Sequence, residues 1–231
     1  MTDLPQKPRR TIITFADPDL PPVDHVGGKA LALMQMTRAG MPVPPGIVLT
    51  VAFFAPWTAR LQASPAWEAM TRADAGAMGP VSRALQTACQ ALRFNELQRD
   101  ELDRALKTLG EPYAGRLFAV RSSSPEEDME GASFAGGYET VLGVTVDGIE
   151  AAVLRAYVSS FDERVFLYKR AHGFRFDQPR IAVIVQQQVD AGSAGVAFSL
   201  NPLNNCFDEA VINANHGLGE SVVSGDTDPD V

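Results

Sequence analysis

Cysteine is scarce in this sequence. Its 231 residues contain two, Cys89 and Cys206. They stand far apart and match no metal or redox spacing, which argues against a disulfide-framed secreted module or a zinc-held one. Histidine is rarer than expected for a metal centre: His25, His172 and His216 form no ligand or catalytic cluster, and no Ser-His-Asp or Cys-His arrangement can be assembled around them. Basic residues are in the minority, with 20 Lys and Arg against 28 Asp and Glu and a net charge of -8. A phosphate backbone demands clustered cations, so the balance argues against a nucleic-acid partner. A small phosphorylated ligand, which needs only a few local cations, stays open. Long apolar runs are missing as well. The longest, Ile47 to Ala55, is far too short to cross a bilayer, and the polar stretch from Met1 to Arg10 has no signal-peptide core. The expectation is a cytoplasmic protein with no membrane partner.

What is present is an ordinary globular composition, 45% hydrophobic and 21% charged, on a chain long enough to bury a substantial core. Strands are expected at Thr11 to Phe15, Ile47 to Thr50, Leu117 to Val120, Tyr138 to Val144, Ala194 to Leu200 and Glu209 to Ala214. The strongest buried-strand signal is Ile181-Ala-Val-Ile-Val185. Helices are expected from Gly27 to about Ala39, closed by Gly40 as a C-cap, and over Val51 to Leu61, Val81 to Leu92, Glu96 to Leu109, Gly148 to Ser159 and Phe161 to Ala171. Pro65 to Gly79 fits no simple period. The alternation of helices and strands gives an α+β chain.

The chemistry gathers in a few segments. Phe118-Ala-Val-Arg-Ser-Ser-Ser124 delivers one arginine at a strand end into three hydroxyls, followed by an acidic turn and Ala135-Gly136-Gly137. Arginine forks onto phosphate oxygens, and glycine lets backbone amides approach an anion. Arg121 reads equally as a phosphate ligand and as the partner of Glu126, Glu127 or Asp128. Gly27-Gly28-Lys29 opens a helix whose N-terminus favours anions, though a surface lysine after a plain turn is the commoner case, and the spacing is not that of a Walker A loop. Ser133 to Thr140 fits a glycine lid or a simple hairpin turn. Gln186-Gln187-Gln188 ends the buried strand, and Gly217-Leu-Gly-Glu220 is a glycine loop with one carboxylate.

Six motifs in order carry a resemblance: Val26-Gly-Gly-Lys-Ala-Leu-Ala-Leu, Gly40-Met-Pro-Val-Pro-Pro-Gly46, Phe118-Ala-Val-Arg-Ser-Ser-Ser, Ser133-Phe-Ala-Gly-Gly-Tyr-Glu-Thr140, Gly195-Val-Ala-Phe-Ser-Leu-Asn-Pro202 and Gly217-Leu-Gly-Glu-Ser-Val-Val-Ser-Gly225. Together they resemble the N-terminal ATP-binding domain shared by phosphoenolpyruvate synthase, pyruvate phosphate dikinase and rifampin phosphotransferase. The resemblance implies an ATP-grasp fold, incomplete at its C-terminal end, with residues 11–180 as an N-terminal α/β lobe carrying the phosphate lid and 181–231 as the start of a second lobe. It implies that Lys29 and Arg121 contact the phosphates of ATP as the catalytic cations. Gly136, Gly137 and Thr140 would then cover the phosphates, and Gln186, Gln188 and Val189 would hold the adenine through backbone groups. Family members pass the β-phosphate of ATP to a histidine on a swivelling domain and then to pyruvate or, in one branch, to rifampin. A non-catalytic nucleotide-binding module is the alternative.

Two departures stand out. The family usually has Met or Leu at Gln188. Its Asp-Ile-Glu-Trp-like and Gln-x-Arg motifs, which supply the Mg²⁺ ligands and a further arginine, have no match here, nor do the swivelling phosphohistidine domain and the acceptor-binding domain. The expectation is therefore a partial domain that binds ATP weakly and does not turn over alone.

Overall fold

The run Ile181 to Val185 has no polar face, so it must be covered on both sides, and the rest of the fold is arranged around it. In the computed structural model, which describes residues 10–110, 115–125, 139–174, 179–220 and 222, the strand β5 (Ala182–Gln187) is the middle of a five-stranded sheet. The other strands are β1 (Ile12–Thr14), β2 (Gly46–Leu49), β3 (Phe118–Ser123) and β4 (Thr140–Val144), in the order β1-β2-β5-β3-β4. Every pairing is antiparallel. Uninterrupted apolar strands are commonest in parallel sheets. Here the two faces of an antiparallel strand meet two separate clusters. Ile181, Val183 and Val185 join the larger cluster on one face, and Ala182 and Ile184 join the smaller on the other.

The smaller cluster is closed by α1 (Val23–Arg38), whose Val26, Ala30 and Met34 are fully buried against Ile13, Val48 and Ile184. Burying a large aliphatic side chain contributes about 1.5–3 kcal/mol, so this one stripe is enough to hold the helix on the sheet. The helix ends as the sequence indicates. Gly40 has φ +76, its amide donates to Thr37 O at 3.0 Å, and the Met41 amide donates to Met36 O at 3.1 Å. Those two bonds satisfy carbonyls the helix would otherwise leave orphaned. The start differs from expectation: α1 opens with a turn from Val23 and is interrupted at Gly27, which has φ 78 and ψ 164. Regular helix therefore begins at Gly28.

The opposite face carries α2 (Ala55–Gln62), α3 (Pro65–Arg72), α4 (Met78–Cys89), α5 (Glu96–Lys107), α6 (Ile149–Ser159) and α7 (Glu163–Ala171). Its centre is aromatic. Trp57 stacks on Phe94 with centroids 5.3 Å apart, Phe54 lies 5.1 Å from Tyr157, and the Trp57 indole donates to Arg93 O at 2.9 Å. Pro65 to Gly79, which fits no period, contains α3. Ser64 accepts from the Trp67 amide, and Pro65 stands at the first helical position where its missing N–H costs nothing. For the same reason α4 starts at Met78, ahead of Pro80, rather than at Val81. Asn95 and Gln98 form a reciprocal capping box at the head of α5, with bonds of 2.8 and 3.0 Å.

The chain divides into two compact units, residues 1–188 and 189–231. The sequence reading set β5 at the start of a second lobe; its hydrogen bonds to β2 and β3 put it inside the first unit. The second unit contains the hairpin β6 (Ser193–Phe198) and β7 (Val211–His216). Gly195 is required there, since a Cβ would sit 2.5 Å from Asn213 O. In the connecting loop, the Asn201 and Asn204 side-chain amides both donate to Glu209 and hold its carboxyl below the usual range. Among the described residues no helix is long and apolar enough to cross a membrane.

Burial pushes the Cys89 thiol up to about 12, while Cys206 is half-buried in the second unit. The sign follows directly. An acid with a raised folded pKa stabilises the fold below its unfolded value and loses that contribution as pH rises toward the folded value. Alkylation at pH 8 is therefore expected to modify Cys206 alone until the protein unfolds, and peptide mapping that finds Cys89 labelled at native rates overturns this. A second contrast tests the backbone. Gly40→Ala, with open space around the site, is expected to cost about 1 kcal/mol. Gly27→Ala is expected to cost clearly more in urea titration, because its conformation is nearly exclusive to glycine and a Cβ has no room.

Candidate functional site

A single row of paired residues crosses the sheet on the face that α1 covers. It runs Ile13–Val48–Ile184–Arg121–Thr140, from β1 to β4. Directly paired residues share a face, so the row changes character part-way. Its first three members are buried beneath α1, and its last two are polar. Arg121 is half-buried, and Thr140 is exposed. The Arg121 side chain makes no hydrogen bond or ion pair with any other described residue.

The N-terminal end of α1 lies against the same strand. The Ala30 amide donates to Ser123 Oγ at 3.1 Å, and Ser123 is fully buried. Gly27 makes this approach possible, since a Cβ there would lie 2.4 Å from Ser123 Oγ and 2.5 Å from its carbonyl carbon. Lys29 neighbours Ala30 on the helix, and Arg121 precedes Ser123 by two positions, so both project from backbone tied by one hydrogen bond. Lys29 is half-buried. A cation in the first regular turn of a helix opposes the macrodipole, which favours anions there. An anion placed near it would be attracted by the lysine and by the helix end alike.

The three serines after Arg121 behave differently from expectation. All are buried, and all turn into the protein. Ser122 Oγ donates to Glu139 O at 3.3 Å, Ser123 Oγ receives the Ala30 amide, and Ser124 Oγ donates to Arg180 O at 3.2 Å. They are not phosphate hydroxyls; each pins a different segment to the end of β3. The pairing of a serine with a helix amide more than ninety residues earlier has no local signal. The glycine pair at 27 and 28 is the one sequence feature that hints at a close approach.

Gln186 lies on the Arg121 face of the sheet, two residues along β5 from Ile184, with its side chain donating to Pro44 O at 3.0 Å. The amides of Gln187 and Gln188 donate to Pro45 O at 2.9 Å and Leu117 O at 2.8 Å, and Gln188 Oε1 receives the Gly143 amide at 2.6 Å. Much of the donor capacity at the end of β5 is thus consumed within the first unit. Val189 opens the second unit, with its side chain exposed. Gly136, Gly137 and the acids Glu126, Glu127 and Asp128 lie outside the described residues.

A cavity of about 610 Å³ opens where β2 ends and β5 begins, lined by Arg10, Asp24, His25, Thr58, Gln62 and Arg180 among others. Its arginines already face carboxylates: Arg10 pairs with Asp17, and Arg180 lies 3.6 Å from Asp24. Arg121 is the arginine better placed to meet an incoming anion. Among the described residues, no group of three or more His, Cys, Asp or Glu could hold a metal ion.

A half-buried arginine beside a helix N-terminus, on one face of a mixed α+β fold, defines the general class. Comparison with known proteins defines the family: residues 23–231 match the model of the pyruvate phosphate dikinase, AMP/ATP-binding domain, and the chain belongs to that family. Similar proteins include an uncharacterized phosphotransferase, YvkC, of Bacillus subtilis, 35% identical over 88% of this chain and 23% of its own length. The "Probable phosphoenolpyruvate synthase" of Methanocaldococcus jannaschii is 33% identical over 90% of this chain and 18% of its own. The phosphoenolpyruvate synthase of Pyrococcus furiosus is 30% identical over 90% of this chain and 30% of its own. The chain thus spans less than a third of the length of each of these relatives.

The geometry separates two kinds of polar residue, and stability measurements can tell them apart. Arg121→Gln is expected to leave the urea midpoint nearly unchanged, within about 0.5 kcal/mol, as for a side chain without partners among the described residues. Ser124→Val removes the donor to the part-buried Arg180 carbonyl and is expected to cost about 1 kcal/mol. Equal losses from the two changes would mean that Arg121 is a structural residue.

Proposed function

We propose that this chain is the nucleotide-binding portion of a phosphotransferase of the phosphoenolpyruvate synthase or pyruvate phosphate dikinase type, built on an ATP-grasp fold and acting in the cytoplasm. The observation that carries the proposal is the meeting of two motifs, Gly27-Gly28-Lys29 and Arg121-Ser-Ser-Ser124, through one buried hydrogen bond. That contact puts a helix N-terminus and a partly exposed arginine on one face of the sheet. The family's description as an AMP/ATP-binding domain supports the ligand. The names of the relatives support the phosphotransferase class.

In this reading Lys29 and Arg121 neutralise phosphate charge, and Thr140, paired with Arg121 across the strands, adds a hydroxyl at the phosphate edge. Gly136 and Gly137 cover the phosphates from the segment that leads into β4. The purine is held at the exit of β5, from Gln186 to Val189, through backbone groups other than the amides of Gln187 and Gln188, which the sheet already uses. Phosphoryl transfer places charge on three equatorial oxygens, and positioned cations stabilise it. The β-phosphate then passes to a histidine on a swivelling domain and on to pyruvate. Among the described residues no group of acidic side chains fits a magnesium site. By themselves these residues bind ATP weakly and do not turn it over.

Calorimetric titration with Mg-ATP tests the proposal. Binding by the unmodified chain is expected to weaken about tenfold in Arg121→Ala, the loss of one charge-assisted contact, and also to weaken in Lys29→Ala. Unchanged affinity in both variants overturns the assignment. Robust formation of AMP by the purified chain overturns the claim that it is inactive alone.

A further inference from the structure

A helix needs acceptors for its first amides, and a side chain at the N-cap usually supplies one. The residue before the regular part of α1 is Gly27, which has no side chain and whose φ of 78 suits no other residue. The missing acceptor is supplied by Ser123, at the end of β3 and fully buried, whose Oγ receives the Ala30 amide at 3.1 Å. Ser122 and Ser124 are equally buried, and their hydroxyls donate to Glu139 O and Arg180 O. Ser123 ties the strand that carries Arg121 to the helix that carries Lys29.

We propose that Ser123 is a positioning residue for nucleotide binding, holding the first regular turn of α1, and with it Lys29, in register with Arg121. The inference rests on the reading that these two cations receive the phosphates. Ser123 itself does not touch the ligand, because its hydroxyl is sealed beneath Gly27. Its role is to keep two charges from different segments at a fixed separation. A polyphosphate bridging them rewards that separation, since preorganised donors need no rearrangement on binding. Without the hydroxyl the Ala30 amide is left unpaired in a buried place, and the first turn of α1 frays.

Mg-ATP affinity is measured calorimetrically on the full chain carrying Ser123→Ala, Ser124→Ala, Lys29→Ala, or Lys29→Ala with Ser123→Ala, with circular dichroism confirming each fold. Ser123→Ala is expected to bind about five-fold more weakly or worse, the size of one lost neutral hydrogen bond. Ser124→Ala, which removes an equally buried hydroxyl that donates to Arg180 O, is expected to stay within about two-fold of the unmodified chain. The double variant is expected to bind no more weakly than Lys29→Ala alone, because Ser123 acts through that lysine. Equal effects at the two serines, or fully additive losses in the double variant, overturn the positioning role and leave the nucleotide reading standing. Absence of binding by the unmodified chain overturns the nucleotide reading and this inference together. If Ser123→Ala does not fold, Ser123→Cys, similar in shape but a poor acceptor, takes its place, and wild-type affinity in that variant overturns the proposal.

Discussion

The contact between Gly27 and Ser123 fixes how helix α1 lies on the sheet. It joins residues almost a hundred positions apart at the point where helix α1 meets strand β3. It works only because one partner has no side chain and the other carries an acceptor where the helix needs one. A larger residue at 27 would push α1 off the sheet. An apolar residue at 123 would leave a buried amide unpaired, which costs more than the bond contributes when made. Each end of the contact therefore restricts the other, and the smaller hydrophobic cluster forms only with the helix held in that place.

From that contact the division of labour across the sheet follows. The face under α1 is apolar as far as the helix reaches and polar beyond it, along one row of paired residues. β5 supplies the rigid centre, buried on both faces by different clusters, and β3 lies directly beside it. Arg121 thus lies beside the buried centre of the sheet, while its side chain stands at the margin of the apolar cover. Among the described residues its side chain has no carboxylate partner, and in the proposed reading its charge goes to a ligand. Arg10 and Arg180, which line the neighbouring cavity, already spend theirs on Asp17 and Asp24.

Much of this was legible in the sequence, where the signal is local. The uninterrupted run at Ile181 to Val185 marked the central strand, Gly40 marked the end of α1, and the Gly-Gly-Lys and Arg-Ser-Ser-Ser segments marked the two sides of the candidate site. Ser64-Pro65 was a legible helix start that the irregular composition of the following residues obscured, and Pro80 hid the true start of α4 because proline in a first turn looks like a break. What could not be read is non-local. The strand order, the placement of β5 in the first unit and the partner of Ser123 depend on contacts between distant segments, which no period or cap encodes. The serine run shows the difficulty plainly. Three adjacent hydroxyls beside an arginine suggest a phosphate cradle, and the same residues at a buried strand end are what the backbone of three converging segments requires.

That reassignment changes how the site is built. Had the serines faced outward, they would have contributed ligand contacts directly, and the arginine would have been one donor among several. Turned inward, they bond within the protein and tie other segments to the end of β3: the residue before β4 through Ser122, α1 through Ser123 and the approach to β5 through Ser124, of which the bond to α1 is the one that meets a candidate cation's helix. In the proposed reading the charge presented to an anion then comes from few groups, on segments tied together by a buried hydrogen bond. Electrostatic stabilisation depends on charges already in place when the ligand's own charge arrives, because reorganisation would consume the gain. A small number of well-held cations satisfies that condition better than a larger number of mobile ones. It is also consistent with a chain that carries an excess of acidic residues overall, since the positive potential needs to be local to this edge of the sheet and not general to the surface.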